Sequence, residues 1–263
     1  MQRNLAWQNS LSVSYVFGLM LALTSPLIAQ TTPPQAAPVK AFPAPTPGPF
    51  ASEIVAFETA DKKALPPTGG VLFIGSSSIR YWTDLVQDFP EIPVINRGFG
   101  GSIIEHSTLY ADRIVLPYKP KLVLLYAGGN DINGGKSPEQ VLVDFGLFAA
   151  KVQQALPETT VAFISINPSL ARWKQESDIL RANSLIEKYI RDTNSPTRKL
   201  AFVASHAALL GPDGQPQAAL LRDDHLHLNA EGYKAWKAII KPQILALADA
   251  AGIERQAVPP TVK

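Results

Sequence analysis

Five apolar runs spaced along the chain constrain its fold more than any other feature of the sequence. They are GVLFIG (70–75), IPVIN (92–96), KLVLLYAG (121–128), TTVAFISI (159–166) and KLAFVA (199–204). Runs that are apolar on both faces are typical of strands inside a parallel sheet, because helices cover both faces of such a sheet. We therefore predict five parallel strands, one in each run.

Amphipathic segments between the runs supply the helices. Residues 137–156 place Val141 and Phe145 on one helical stripe, and residues 176–190 have a similar pattern. A last helix is predicted to begin after Asn229, whose side chain suits an N-cap. The predicted fold class is α/β: a single doubly wound, flavodoxin-like domain with a five-stranded parallel sheet in a three-layer α/β/α arrangement.

The first 29 residues have the layout of a secretory signal peptide. Arg3 precedes a long uncharged stretch that ends in small and apolar residues, and cleavage after Ala29 fits this layout. An uncleaved N-terminal membrane anchor is the alternative, because the uncharged stretch is long enough to span a bilayer. We expect export to the periplasm or the extracellular space, with membrane contact only through this segment if it stays uncleaved.

The segments that flank the predicted domain have little to bury. Residues 30–50 are rich in proline and are predicted to form an extended linker. The folded domain is predicted to span residues 51–250. Residues 251–263 are predicted to form a flexible tail.

Composition excludes several classes of function. The net charge of +2 comes from 24 basic and 22 acidic residues that are scattered along the chain, so we expect no nucleic-acid partner. The chain has no cysteine, which excludes disulfides, zinc–thiolate sites and a cysteine nucleophile.

Four polar or glycine-rich segments stand where predicted strands end or where the last helix begins. GSSS (75–78), RGFGGS (97–102) and AGGND (127–131) follow the first three strands, and DDHLH (223–227) precedes the final helix. Ligand sites of doubly wound proteins lie at the carboxyl ends of the parallel strands. We therefore expect the four segments, which are far apart in sequence, to form one site.

The residues in these segments fit an acyl-transfer site. Such a site needs a hydroxyl, a base, a group that orients the base, and donors for the oxyanion. Asp224 and His227 are three residues apart, so on one turn the carboxylate can reach the imidazole Nδ1 while Nε2 faces a serine. Gly101 allows a backbone N–H to approach substrate closely, and Asn130 offers a side-chain amide donor.

The same four segments, in this order, resemble the conserved blocks of the SGNH (GDSL-type) serine hydrolases, and GSSSIR followed by RGFGGS is similar to certain bacterial members. The resemblance implies a catalytic triad of Ser77, Asp224 and His227. It also implies an oxyanion hole formed by the N–H groups of Ser77 and Gly101 and by the Asn130 side chain.

The three consecutive serines are predicted to have separate roles. Ser76 stands where the family usually has aspartate, which is a departure from the family pattern. Ser77 aligns with the nucleophile. Ser78 is predicted to cap a helix that begins at Ile79.

The hypothesis that follows is an SGNH-type esterase: a serine-dependent carboxylic ester hydrolase that acts through an acyl-enzyme on a small or carbohydrate-linked ester. It implies no metal and no organic cofactor, and its partner is a small-molecule or polysaccharide ester. Trp173, on the loop after the fourth strand, is predicted to line the substrate cleft.

Two other functions stay open at this point. Residues 223–227 hold two carboxylates and two imidazoles, which is the beginning of a ligand set for a metal-dependent hydrolase, although only two other histidines exist in the chain. The second alternative is an exported, non-catalytic binding module on the same fold. Retention of the serine, aspartate and histidine of the triad argues against that module.

Overall fold

The computed structural model describes residues 48–257. The predicted signal peptide or anchor and all but the last three residues of the predicted linker lie outside the described residues, as do residues 258–263.

One parallel sheet of five strands forms the centre of the domain. The strands are β1 (Val71–Gly75), β2 (Val94–Gly98), β3 (Leu122–Tyr126), β4 (Thr160–Ile164) and β5 (Leu200–Val203). Their order across the sheet is β2-β1-β3-β4-β5, and all four pairings are parallel. The predicted fold class and the five predicted strands are confirmed.

Eight α-helices lie among the described residues. They are α1 (Ala51–Lys63), α2 (Ser77–Arg80), α3 (Leu85–Asp88), α4 (Ile104–Ile114), α5 (Gly129–Asn133), α6 (Pro138–Ala155), α7 (Glu176–Thr193) and α8 (Ala230–Ala250). Short 3-10 segments span Leu116–Tyr118, Leu170–Gln175, His206–Leu209 and Ala218–Leu220. The Asn229 side chain accepts a hydrogen bond from the Gly232 N–H at 2.9 Å, which confirms it as the N-cap of α8.

Alternate side chains of each central strand enter two separate cores. In β3, Val123 and Leu125 pack on one face with α1, α4, α6 and α7. Leu122 and Leu124 pack on the other face with α2, α3 and α8. This alternation explains why the central strands β1 and β3 are apolar along their length, since both faces of the sheet are covered there.

Both predicted domain boundaries need correction. Phe50, the last residue of the predicted linker, packs edge-to-face on Phe99 with ring centroids 5.3 Å apart. The prediction of a flexible tail from residue 251 is wrong for its first residues, because Ile253 is buried in the α8 core and the Gln256 N–H donates to the Glu91 carbonyl at 2.8 Å. The apolar side chain at 253 and this backbone hydrogen bond hold the chain against the domain after α8 ends.

The strand order reverses between β1 and β3. From β1 the chain crosses to β2 on one side, and it then returns to β3 on the other side. The crevice at such a switch point, outside the carboxyl ends of the strands, is where doubly wound folds bind ligands. No helix within residues 48–257 has the length and apolar content needed to cross a membrane.

Candidate active site

Ser77 lies directly after β1, at the switch point. The strand ends at Gly75, where an added Cβ would lie only 1.9 Å from the Tyr126 carbonyl oxygen of β3, so only glycine permits this approach. The Ser76 N–H then donates to the same carbonyl at 3.1 Å. Ser77 follows as the first residue of α2, so the close β1–β3 contact fixes the position of its hydroxyl.

The predicted role of Ser78 is wrong. Helix α2 begins at Ser77, and Ser76 is the N-cap residue, although its side chain makes no capping hydrogen bond. The Ser76 carbonyl accepts the N–H groups of both Ile79 and Arg80, so the helix begins two residues earlier than predicted. Ser78 lies inside the helix, where its carbonyl accepts the Tyr233 hydroxyl at 2.7 Å.

Ser77, His227 and Asp224 form a continuous hydrogen-bonded chain. The Ser77 Oγ lies 2.8 Å from His227 Nε2, and His227 Nδ1 lies 2.6 Å from Asp224 Oδ2. Both distances are within hydrogen-bond range, and the order of atoms is that of a serine–histidine–aspartate triad. The structure therefore brings the three predicted triad residues together.

A turn, rather than a helix, sets the geometry of Asp224 and His227. The Asp224 Oδ1 accepts the backbone N–H groups of Leu226 and His227, each at 2.9 Å. Burial alone would raise the pKa of Asp224, but the hydrogen bonds from the His227 ring and from these two N–H groups hold it well below its usual range. Asp224 therefore stays ionised at neutral pH and fixes the proton on His227 Nδ1.

The metal-site alternative needs a converging ligand set in this turn. Within residues 48–257, no three histidine or carboxylate side chains are placed to hold a metal ion. Asp224 and His227 are hydrogen-bonded to each other, and His225 has a left-handed backbone with φ of 56°.

Tyr81 packs against the His227 ring, a contact that the sequence did not lead us to predict. Its ring meets the imidazole edge-to-face, with centroids 5.1 Å apart. The Arg222 guanidinium stacks on Tyr81 at 4.5 Å from the ring centroid. The signal available in the sequence was the spacing of four residues from Ser77, which puts Tyr81 on the same side of a helical turn.

Asn130 lies at the carboxyl end of β3, and both ends of its side-chain amide are held. Its Nδ2 donates to the Ser102 carbonyl at 2.9 Å, and its Oδ1 accepts from the Arg172 guanidinium at 2.7 Å. The Nδ2 carries a second hydrogen. Asn130 lines the same pocket as Ser77 and His227, as the oxyanion prediction requires.

Asp131 anchors the turn that presents Asn130. Its carboxylate accepts the N–H of Gly128 at 3.1 Å and the N–H of Ile104, at the start of α4, at 3.2 Å. Gly128 has φ of 105°, a conformation that favours glycine. Burial raises the pKa of Asp131 above its usual value, and the hydrogen bond from Ile104 and the charge of Lys136 act in the opposite direction.

Gly101 and Trp173, which were predicted to contact the substrate, do not line this pocket, and Asp224 lies behind His227 rather than in the lining. Gly101 lies in the exposed turn after β2 with φ of 75°, and the N–H of its neighbour Gly100 donates to Glu53 at 3.1 Å. The oxyanion role of Gly101 stays a prediction. From the segment after β4, Arg172 lines the pocket in place of Trp173.

The far wall of the pocket, at Ile166 and Asn167, is held by buried polar groups. Asn183 bonds both the N–H and the carbonyl of Ile166, at 2.8 and 3.0 Å. His206 Nδ1 lies 2.8 Å from the same carbonyl, and its Nε2 lies 2.7 Å from Glu176. These side chains touch the wall and keep it rigid.

The pocket itself is small. It has a volume of about 40 Å³ between the Ser77 hydroxyl, the Asn130 amide and apolar groups that include Ile166 and Ile179. A hydroxyl hydrogen-bonded to a base, next to an amide donor and a small apolar space, is the arrangement that acyl transfer requires.

Comparison with known families agrees with this chemistry. Residues 70–235 match the GDSL-like lipase/acylhydrolase family. The chain belongs to this family. The matched range runs from β1 into α8 and includes every candidate site residue, and this GDSL-type protein is an esterase with the SGNH fold.

Solved structures with the same fold share little sequence with this GDSL-type esterase. A GDSL-like lipase from Bacteroides thetaiotaomicron is 22% identical, with a TM-score of 0.60 over 74% of this chain and 98% of that one. A family 3 carbohydrate esterase from Talaromyces cellulolyticus is 17% identical, with a TM-score of 0.56 over 68% and 98% of the two chains. The lipase/acylhydrolase from Enterococcus faecalis is 20% identical, with a TM-score of 0.54 over 67% and 95%. No curated protein sequence matches the chain.

Proposed function

We propose that this esterase cleaves short-chain carboxylic esters through a covalent acyl-enzyme on Ser77. The observation that carries the proposal is the hydrogen-bonded chain from the Ser77 Oγ through His227 to Asp224, with distances of 2.8 and 2.6 Å. The Ser77 Oγ attacks the ester carbonyl carbon while its proton passes to His227 Nε2. The resulting imidazolium then gives this proton to the departing alcohol.

Deacylation uses the same groups in reverse order. A water molecule attacks the acyl carbon, gives a proton to His227 Nε2, and releases the carboxylic acid as Ser77 regains its hydrogen. In both steps, the negative oxygen of the tetrahedral intermediate accepts hydrogen bonds from the free Asn130 N–H and from the backbone N–H groups of Ser77 and Gly101. Asp224 keeps His227 oriented and stabilises its charged form.

The small pocket favours a short acyl group. Its volume of about 40 Å³ holds roughly three water-sized groups, which is close to the size of an acetyl group. Longer chains would displace the wall at Ile166, which Asn183 and His206 hold rigid. The similarity in fold to a family 3 carbohydrate esterase is consistent with a carbohydrate-linked ester as substrate.

We expect acetyl esters to be hydrolysed with a higher kcat/KM than butyryl or octanoyl esters of the same alcohol. An acetate, butyrate and octanoate series of p-nitrophenyl esters measures this preference, with Ser77→Ala as the blank. In a rigid pocket, each extra methylene group is expected to lower kcat/KM by about 10- to 200-fold. A flat series, or one that rises with chain length, would contradict the assignment of an acetyl pocket.

A second cleft on the His227 side suits the alcohol part of the ester. It has a volume of about 330 Å³, and Tyr81, which packs on the His227 ring, forms part of its wall. Asp84, Arg222 and Lys234 also line it and supply both acceptors and donors. Because His227 protonates the leaving oxygen, the alcohol must depart on this side, and a polar cleft of this size accommodates a sugar ring.

Lys234→Gln is expected to raise KM for an acetylated oligosaccharide about three- to tenfold, because it removes a charged donor from this cleft. Its kcat/KM for p-nitrophenyl acetate, which has no sugar, is expected to change by less than about twofold. Steady-state kinetics on the two substrates measure the difference. Equal losses on both substrates would show that Lys234 acts on the triad and not on the alcohol. Export, as the N-terminal sequence predicts, is consistent with an extracellular acetylated polymer as substrate.

A further inference from the structure

Arg172 is a cation on the pocket wall without an acidic partner among residues 48–257. Within this described part of the chain, its one hydrogen bond to another side chain is the bond to the Asn130 Oδ1, at 2.7 Å. Burial lowers the pKa of Arg172, and among the described residues only Tyr126 acts against this effect. A half-buried charge without a counter-ion is partly desolvated at a cost, so its presence beside the reacting serine calls for a physical reason.

The backbone around Arg172 is arranged to bring the guanidinium to this position. Arg172 departs from helical geometry inside the 3-10 segment Leu170–Gln175, with φ of −118° and ψ of 18°. Across the pocket, an added Cβ at Gly129 would lie 3.1 Å from the Arg172 Nη1, so the glycine leaves room for it. The preceding Ala171 N–H donates to the His225 carbonyl at 3.0 Å, which ties the segment to the turn that carries His227.

The contact of Arg172 with Asn130 is directional. The guanidinium donates to Oδ1, and Nδ2 donates to the Ser102 carbonyl at 2.9 Å, so the amide plane is held from both ends. In this orientation the amide cannot flip, because a flipped Nδ2 would face the guanidinium donor. The second hydrogen on Nδ2 is therefore the one left for the pocket that Asn130 and Ser77 share.

We infer that Arg172 is a positioning residue for the oxyanion hole, which orients and polarises the Asn130 amide during ester hydrolysis. The inference rests on the proposed function, since it needs an oxyanion to form beside Asn130. A charged donor on Oδ1 strengthens the opposite N–H as a donor, because successive hydrogen bonds polarise one another. The missing counter-ion of Arg172 is then the negative oxygen of the tetrahedral intermediate, which exists only while the reaction proceeds.

A double-mutant cycle between Arg172 and Asn130 tests this inference, with p-nitrophenyl acetate as substrate. Arg172→Met removes both the charge and the donors, and kcat is expected to fall about 10- to 100-fold with KM changed less than about threefold. Asn130→Ala is expected to lower kcat by about 10²- to 10³-fold. The double variant should match Asn130→Ala within about threefold, because Arg172 acts through Asn130.

Two further variants separate this role from a structural one. Arg172→Lys keeps the charge and one donor, and it should recover a large part of the activity that Arg172→Met loses. Lys174→Gln, on the same 3-10 segment and exposed, is the matched control and should leave kcat unchanged. Circular dichroism reports folding for each variant, and if Arg172→Met does not fold, the cycle is run with Arg172→Gln, which also removes the charge.

The inference would be wrong if the losses in kcat multiply in the double variant, or if Arg172→Met raises KM and leaves kcat unchanged. In either case Arg172 would act independently of Asn130. Failure of the proposed function is seen separately. If Ser77→Ala retains hydrolysis, the serine mechanism itself is wrong. If Ser77→Ala is inactive and the cycle is additive, only the role of Arg172 is wrong.

Discussion

Ser77→Ala is expected to lower kcat for p-nitrophenyl acetate by about 10⁴- to 10⁶-fold, the range found when the nucleophile of a serine triad is removed. The physical reason is that no covalent intermediate can form without the Oγ that lies 2.8 Å from His227 Nε2. The substitution removes one oxygen from a half-buried position, so the midpoint of thermal unfolding should change little. Steady-state kinetics and a thermal melt measure the two effects.

Ser76→Ala is the matched control for this prediction. Ser76 is the neighbouring residue and the N-cap of α2, but its hydroxyl makes no capping hydrogen bond. Loss of this hydroxyl should therefore leave most of the hydrolysis intact. The assignment of the nucleophile would be wrong if Ser76→Ala abolished hydrolysis while Ser77→Ala retained it.

His227→Ala is expected to cost nearly as much, about 10⁴- to 10⁶-fold in kcat, because the Ser77 hydroxyl then lacks a base and the alcohol lacks an acid. The double variant Ser77→Ala/His227→Ala should be no slower than either single variant, since the two groups act as one unit. Among the single variants Ser77→Ala, His227→Ala and Asp224→Asn, the last should lower kcat least. The same assay measures all four proteins.

Multiplied losses in the double variant would contradict the role of His227, because they would mean that His227 and Ser77 act separately. A loss confined to KM would contradict it as well. The aromatic contact with Tyr81 provides a check on structure, since His227→Ala removes that contact and a small fall in the unfolding midpoint is expected from it.

Much of the fold could be predicted because the central strands β1 and β3 have both faces buried. Residues such as Leu122 and Val123 enter different cores, so the run has no polar position and is easy to recognise. The convergence of Ser77, Asn130 and His227 followed from topology alone, because strand ends and the loop before α8 share one edge of the sheet. The positions of these segments in the sequence and the topology of the fold therefore place the same residues at one edge of the sheet.

The parts that could not be predicted depend on single backbone torsions and on contacts distant in sequence. The start of α2 depends on which carbonyl the Ile79 and Arg80 N–H groups reach, and no serine pattern specifies that choice. Arg172 rather than Trp173 reaches the pocket because the backbone leaves helical geometry at residue 172. The packing of Ile253 after α8 likewise depends on a core that is formed by distant elements.

The most direct test of the central claim is covalent labelling of the intact protein with a fluorophosphonate, followed by peptide mapping. We expect one adduct per molecule, on Ser77, and loss of labelling in Ser77→Ala. His227→Ala should label far more slowly, because the Ser77 hydroxyl is then without its base. An adduct on another residue, or ester hydrolysis by a protein whose Ser77 stays unlabelled, would contradict the serine mechanism proposed for this esterase.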